Sequence, residues 1–245
     1  MSKQQREVNR RERAAAIQKE AAGKERNRRL LITLAIVVVL SAVVAGFVIF
    51  SGGSDTTTAS TVSTPVKASG QALVVGGNDK AKYKVVVFED FLCPFCRQFE
   101  TSSRDFLRAD AKKGTVQVEY RPFHLLQDDY STRALSAWAA VLQQGTAGQA
   151  LKFHDLLYDN QPYEQDPNKP DASKLASWAE KSGVTSKSVL AATGGSDDAF
   201  VSAADAAATK AAVTATPTVF VNGKQLAGNS VSDMVDNLER TLAAG

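Results

Sequence analysis

The sequence predicts an α/β domain in which a mixed central sheet is flanked by helices, with an inserted helical subdomain and one transmembrane helix ahead of it. Three observations predict this. A 21-residue run without a charge, LLITLAIVVVLSAVVAGFVIF, spans residues 30–50. Further on, two strand patterns bracket a helix pattern, and a βαβ unit implies a parallel pair. Near the C-terminal end, Asn222-Gly223 separates two short strand signals, which reads as an antiparallel hairpin with a type I′ turn.

Composition limits the alternatives. A chain of 245 residues has room for one or two domains with a sizeable core. With 44% hydrophobic and 22% charged residues, wholesale disorder is excluded. Two cysteines cannot build a disulfide-rich scaffold or a four-cysteine zinc site. The formal charge of +3 hides a split. Residues 1–29 carry 10 Lys/Arg against 4 Asp/Glu, residues 30–50 carry none, and residues 51–245 carry 19 against 22. The globular part is therefore slightly acidic, and no nucleic-acid partner is expected.

In order along the chain, residues 1–29 read as a basic cytoplasmic tail. Residues 30–50 would make roughly 31 Å of helix, the thickness of a bilayer's hydrocarbon core. Arg26, Arg28 and Arg29 border this run on one side, and nothing basic follows until Lys67. The positive-inside rule then puts residues 51–245 outside the membrane. A cleaved secretion signal would have an apolar stretch of ~7–15 residues and a small-residue cleavage site. This run is longer and ends in bulky Phe47, Val48, Ile49 and Phe50, so an uncleaved anchor is expected. From Ser51 to Gly70, 14 of 20 residues are Ser, Thr, Gly or Pro, a flexible tether with a random-coil span of roughly 25 Å.

The domain proper is expected over residues 71–245. Lys84–Glu89 (KVVVFE) is a short buried-strand run, and Thr115–Tyr120 (TVQVEY) alternates as a second strand. Between them, a helix runs from Pro94, a first-turn proline, to about Lys112, with Gly114 just past its end. Ser131–Gln143, Gly148–Tyr158, Asp171–Lys181 and Ser186–Ala192 read as helices of an insertion over about residues 125–195. Asp197–Ala212 is an alanine-rich helix. Strands at Thr218–Val221 and Lys224–Leu226 follow. A last helix, capped by Ser230 or Ser232, runs to about Leu242.

Both cysteines lie in Cys93-Pro94-Phe95-Cys96. Two cysteines placed at random would be three apart only about once in 120 cases. The motif follows a strand and opens a helix. There the unpaired N–H groups and the macrodipole favour a thiolate at Cys93, so an acidic nucleophilic thiol is expected. Cys96, one turn in, is placed to close the bridge as the resolving thiol. A purely structural disulfide over four residues removes little unfolded-state entropy. A metal site needs two further ligands, and His124 and His154, the only histidines, have no metal-like spacing. Redox chemistry without a metal or cofactor is the expectation.

At these residues the sequence resembles the thioredoxin superfamily, and within it the DsbA-like thiol–disulfide oxidoreductases of membrane-anchored bacterial type. The matching blocks are GNDKAKYKVVVFEDFLCPFC, FHDLLYDNQ and ATPTVFVNGKQLAG, in that order. The resemblance implies a thioredoxin fold with a helical insertion. It also implies a cis-proline at Pro217 that presses the Thr216 backbone against the sulfurs and offers an edge for an extended substrate. Cys93, Cys96, Thr216 and Pro217 are then the catalytic set, with Pro94, Phe95 and Thr216 contacting substrate. Phe91, Phe99 and Trp138 are aromatic candidates more typical of core. One departure stands out: Val87 occupies the position, six residues before the first cysteine, where many relatives hold a buried acid. Glu89 is a weaker substitute and reads more simply as a solvated strand end. His124 reads as a surface or insertion-packing residue, and His154 as structural.

The expected activity is an extracytoplasmic oxidase, N-terminus cytoplasmic, held in a bacterial cytoplasmic membrane by a single span. It would pass the Cys93–Cys96 disulfide to reduced, unfolded secreted proteins. By resemblance, a quinone-linked membrane oxidase would recharge it. No dimerisation segment precedes the core, which points to a monomer. A reductase or isomerase of the same fold is the alternative. A metal-binding maturation module, using the two cysteines as soft ligands, is the alternative from another class.

Overall fold

The computed structural model of the chain describes residues 64–77 and 80–244. Their six strands are β1 (Val66–Ser69), β2 (Ala72–Val75), β3 (Tyr83–Glu89), β4 (Val116–Pro122), β5 (Thr218–Val221) and β6 (Lys224–Gln225). They form one sheet in the order β1-β2-β4-β3-β5-β6. The helices are α1 (Pro94–Lys113), α2 (Asp129–Gln144), α3 (Ala147–Asp159), α4 (Ala172–Lys181), α5 (Lys187–Ala192), α6 (Asp198–Lys210) and α7 (Val231–Ala243).

The expected βαβ unit is β3–α1–β4. Its strands pair in parallel from Tyr83 opposite Val116 to Glu89 opposite Pro122. Gly114 ends α1 in the left-handed region at φ 81°, and its N–H returns to the Ala111 carbonyl. A side chain at that φ would be strained, which is why glycine stands there. On the other flank, β5 lies antiparallel to β3, with Val85 opposite Val221. Asn222 and Gly223 take positive φ of 51° and 80°, as the I′ turn requires. The caps are local too: Asp128, Thr146, Asp171 and Ser230 each accept a backbone N–H from the first turn of the helix they open. Of the two serines proposed for the last cap, it is Ser230 that binds, to the Asp233 N–H.

The strand pair at the far edge differs from expectation. Residues 66–69 fall in the stretch predicted as tether, yet they form β1, antiparallel to β2, which in turn pairs with β4. The domain's sheet thus begins ahead of residue 71. Among the described residues no helix is long and apolar enough to cross a membrane. The predicted span at residues 30–50, the basic tail and most of the tether lie outside the described residues.

Helices α2–α5 make up the insertion. The Trp138 indole N–H donates to the Ala150 carbonyl at 3.1 Å and pins α2 to α3. The insertion is also tied to the βαβ unit by charge. The Arg108 guanidinium on α1 makes two parallel bonds to the Asp155 carboxylate on α3, at 2.8 and 2.5 Å. Such bidentate pairing fixes orientation as well as distance. Phe91, Phe99, Trp138, Phe153 and Tyr158 are fully buried and merge insertion and sheet into one core.

Candidate functional site

The two cysteines sit where β3 hands over to α1. Cys93 is the N-cap residue, extended at φ −67° and ψ 117°, with no side-chain capping bond, and Pro94 opens the helix. Its sulfur thus lies at the positive end of α1 without capping any one N–H of the first turn. The turn before it is held by Asp90. The Cys93 N–H donates to the Asp90 carbonyl at 3.0 Å, and the Leu92 N–H to Asp90 Oδ1 at 2.8 Å. Asp90 Oδ2 accepts from the Leu126 N–H at 3.0 Å and the Ser131 hydroxyl at 2.8 Å. Burial pushes the Asp90 carboxyl up from its ordinary value, and these donors hold it partly back.

The two thiols are free and chemically unlike. Cys93 is lowered from 9.0 to about 6, chiefly because the Cys96 thiol donates to its thiolate. Burial opposes this, while the Thr216 side chain and the Cys96 and Phe95 backbone N–H groups add to it. The buried Thr216 hydroxyl has no hydrogen-bond partner among the described residues. Cys96 is pushed well above 9.0, first by its complete burial and then by its bond to the Cys93 sulfur and the charge there. The Asp90 N–H, 3.5 Å from the Cys96 sulfur, opposes only weakly. One thiol is thus an exchangeable nucleophile and the other a sealed reserve.

Opposite the motif, the Thr216–Pro217 peptide bond is cis. The protonated Cys93 thiol lies 3.4 Å from the Thr216 carbonyl, so the structure brings together all four residues expected of the catalytic set. Pro94 and Phe95 are exposed beside them, Phe95 at 60%. Phe91, Phe99 and Trp138 are in the core and offer nothing to a substrate. A groove of about 360 Å³ runs past Pro94, between Arg97 and Gln98 of α1 and the loop carrying Pro162 and Tyr163. The larger 750 Å³ cavity lies between Tyr83, the β5–β6 hairpin and α7, at the opposite end of β3 from the cysteines.

Glu89 corrects its expected role as a solvated strand end. It is fully buried, and its Oε1 lies 2.7 Å from His154 Nε2. Strand β3 turns that side chain inward because the next layer, α3, covers the strand's end. His154 is boxed by Phe91, Tyr120 and Tyr158, with ring centroids 4.7–5.8 Å away. Burial alone would lower its pKa, but the Glu89 carboxylate and Asp155 overcome that and raise it to about 10. Glu100, four residues after Cys96 on the buried face of α1, is raised to about 8 by burial and by the charge on Glu89. Glu89, Glu100 and His154 place one ligand atom each within 4.8 Å of one another. His154 Nε2 is spent on Glu89 and the group is sealed from solvent, so the arrangement is a buried His–Glu pair with Glu100 beside it, whose two oxygens have no hydrogen-bond partner among the described residues. The His124 backbone N–H donates to Asp205 at 3.0 Å, so the residue packs on α6, the helix that follows the insertion, rather than on the insertion itself.

Two residues of the site escape sequence reasoning. Asp90 is adjacent to the motif, but its role rests on partners 36 and 41 residues away. Gln161, the last residue of the block FHDLLYDNQ, reaches back 68 residues to the Cys93 carbonyl. Only the block itself carried a signal.

Residues 69–240 match the family model described as thioredoxin. Solved structures agree with it. MdbA from Corynebacterium diphtheriae, a thiol-disulfide oxidoreductase, is 23% identical with a TM-score of 0.60; the match covers 71% of this chain and 94% of that one. Reduced DsbA from Mycobacterium tuberculosis is 26% identical with a TM-score of 0.56, covering 71% and 99%. Oxidised BdbD from Bacillus subtilis is 22% identical with a TM-score of 0.57, covering 74% and 97%. No curated protein sequence matches the chain.

Proposed function

The chain belongs to the thioredoxin family as a DsbA-like thiol–disulfide oxidoreductase, and from that premise we propose that it works as an oxidase that introduces disulfides into secreted proteins. The observation that carries the direction is the stabilised Cys93 thiolate over a sealed Cys96 thiol. Whatever stabilises the reduced pair makes the disulfide a stronger oxidant.

In the first step a substrate thiolate attacks Cys93 Sγ of the disulfide. The Cys93–Cys96 bond breaks, and Cys96 leaves and takes up a proton. A second substrate thiolate then attacks the substrate sulfur of the mixed disulfide, and Cys93 departs as the thiolate its surroundings favour. The substrate has lost two electrons and the enzyme holds them as a dithiol. Pro94, Phe95 and the Thr216 backbone form the contact surface, with the extended substrate segment pairing beside Thr216. Recharging requires an acceptor of two electrons, for which a quinone-linked membrane oxidase is the proposed partner. The apolar run at residues 30–50 and the arginines before it support a single-pass anchor, with the catalytic domain outside the bacterial cytoplasmic membrane.

Cysteine replacement tests the exchange. In the full chain, Cys96→Ala should accumulate covalent adducts that dithiothreitol removes, because a mixed disulfide on Cys93 has lost its internal exit. Cys93→Ala should accumulate none. Adducts on Cys93→Ala alone would invert the assignment. A reduction potential near about −120 mV would mark an oxidase, and one near about −270 mV the reductase alternative. For the anchor, protease added outside spheroplasts should digest the domain and spare residues 1–29. Protection of the domain would reverse the topology.

A further inference from the structure

The turn Asp90–Cys93 is held by two side chains, and only one of them belongs to the motif's own segment. The other is Gln161, on the loop that follows α3 in the helical insertion. A glutamine amide carries two N–H hydrogens, and Gln161 spends both on this turn. Its Nε2 lies 3.0 Å from the Phe91 carbonyl and 3.0 Å from the Cys93 carbonyl. Gln161 is itself buried. The Cys93 carbonyl also accepts the Cys96 and Arg97 N–H groups at 3.1 and 3.2 Å, so it is the first rung of α1.

We propose that Gln161 is a positioning residue for the exchange site, through which the helical insertion fixes the Cys93 peptide and, with it, the oxidising strength of the disulfide. This rests on the reading of the site as a thiol–disulfide exchanger. The direction of the Cys93 carbonyl is set by ψ of that residue, and the sulfur hangs from the same Cα. Rotating the peptide would break the rung to Cys96 and Arg97. It would also carry the sulfur away from the Cys96 thiol, the Phe95 N–H and Thr216. Without Gln161, two carbonyls in a closed turn lose a donor, and the turn relaxes toward whatever satisfies them. The thiolate then keeps fewer of its preorganised donors. The reduced form is destabilised and the disulfide becomes a weaker oxidant.

Gln161→Met in the full chain keeps size and flexibility and removes both donors. Gln161→Glu removes them and adds a carboxylate against two carbonyls. Thiolate absorbance against pH and the equilibrium with glutathione read the effect. The Cys93 midpoint should rise by about one unit, and the oxidising equilibrium constant should fall about tenfold, some 30 mV, with Gln161→Glu shifted further than Gln161→Met. A merely structural glutamine would lower the melting temperature and leave both quantities at their wild-type values, which overturns the proposal. Collapse of both variants would make Gln161 a folding residue and overturn it as well. A wild-type Cys93 that titrates near 8.5, as a free cysteine does, would bring down the reading of the site itself. An acidic wild-type thiol that Gln161→Met leaves unmoved would sink the role of Gln161 alone.

Discussion

Reducing the disulfide should make stability rise with pH relative to the oxidised protein. In the folded dithiol Cys93 titrates at about 6, against 9.0 for an unperturbed thiol. Between those values the unfolded chain holds a proton that the folded chain does not, so raising the pH favours the fold. The contribution is complete above about pH 9 and is lost as the pH falls through about 6. Three units correspond to about 4 kcal/mol, and solvent screening trims this to roughly 2–4 kcal/mol. Cys96 stays protonated in the fold far beyond 9.0, so above that pH its unfolded counterpart ionises and the gain reverses. Glu100 and His154 also titrate, at about 8 and about 10. They are present in both redox forms and largely cancel in the difference. Urea unfolding with and without reductant, from pH 5.5 to 9, measures that difference. The two tryptophans of the chain, Trp138 and Trp178, are both buried and report it by fluorescence. A difference that stays flat, or falls with pH, would refute the thiolate argument.

Two further outcomes separate the core from the contact surface. His154→Leu leaves the buried Glu89 carboxylate without its partner and should cost about 3–5 kcal/mol in equilibrium unfolding, and a loss below about 1 kcal/mol would show that the pair carries no stability. Phe95→Ser removes the exposed ring beside the sulfurs and should raise KM for a reduced peptide roughly tenfold, about 1.4 kcal/mol of contact, with the Cys93 titration unchanged. An unchanged KM would remove Phe95 from the substrate surface.

What the sequence by itself determined is what one turn of chain decides. The Cys-Pro-Phe-Cys motif opens α1 because Pro94 sets the first helical φ and an N-cap sulfur meets free N–H groups. The Asn222-Gly223 turn and the serine and aspartate caps follow from residues two to four apart, and the βαβ unit from the strand and helix periods of three successive segments. That Thr216 and a cis Pro217, 123 residues on, meet Cys93 was legible only through the resemblance to the family. Pairing at the far edge of the sheet was not legible. β1 lies in a Ser/Thr-rich stretch whose composition favours a tether, and its strand character comes from the partner β2 it finds. Glu89 looks solvated from its own segment, and only α3, 65 residues on, supplies the histidine that partners it in the core. Gln161 likewise gains its role from a carbonyl 68 residues away. Side-chain chemistry is written in the local sequence. Which polar group meets which across the insertion depends on how the helices close over the sheet, since an inward carboxylate or carbonyl must find its partner in space rather than along the chain.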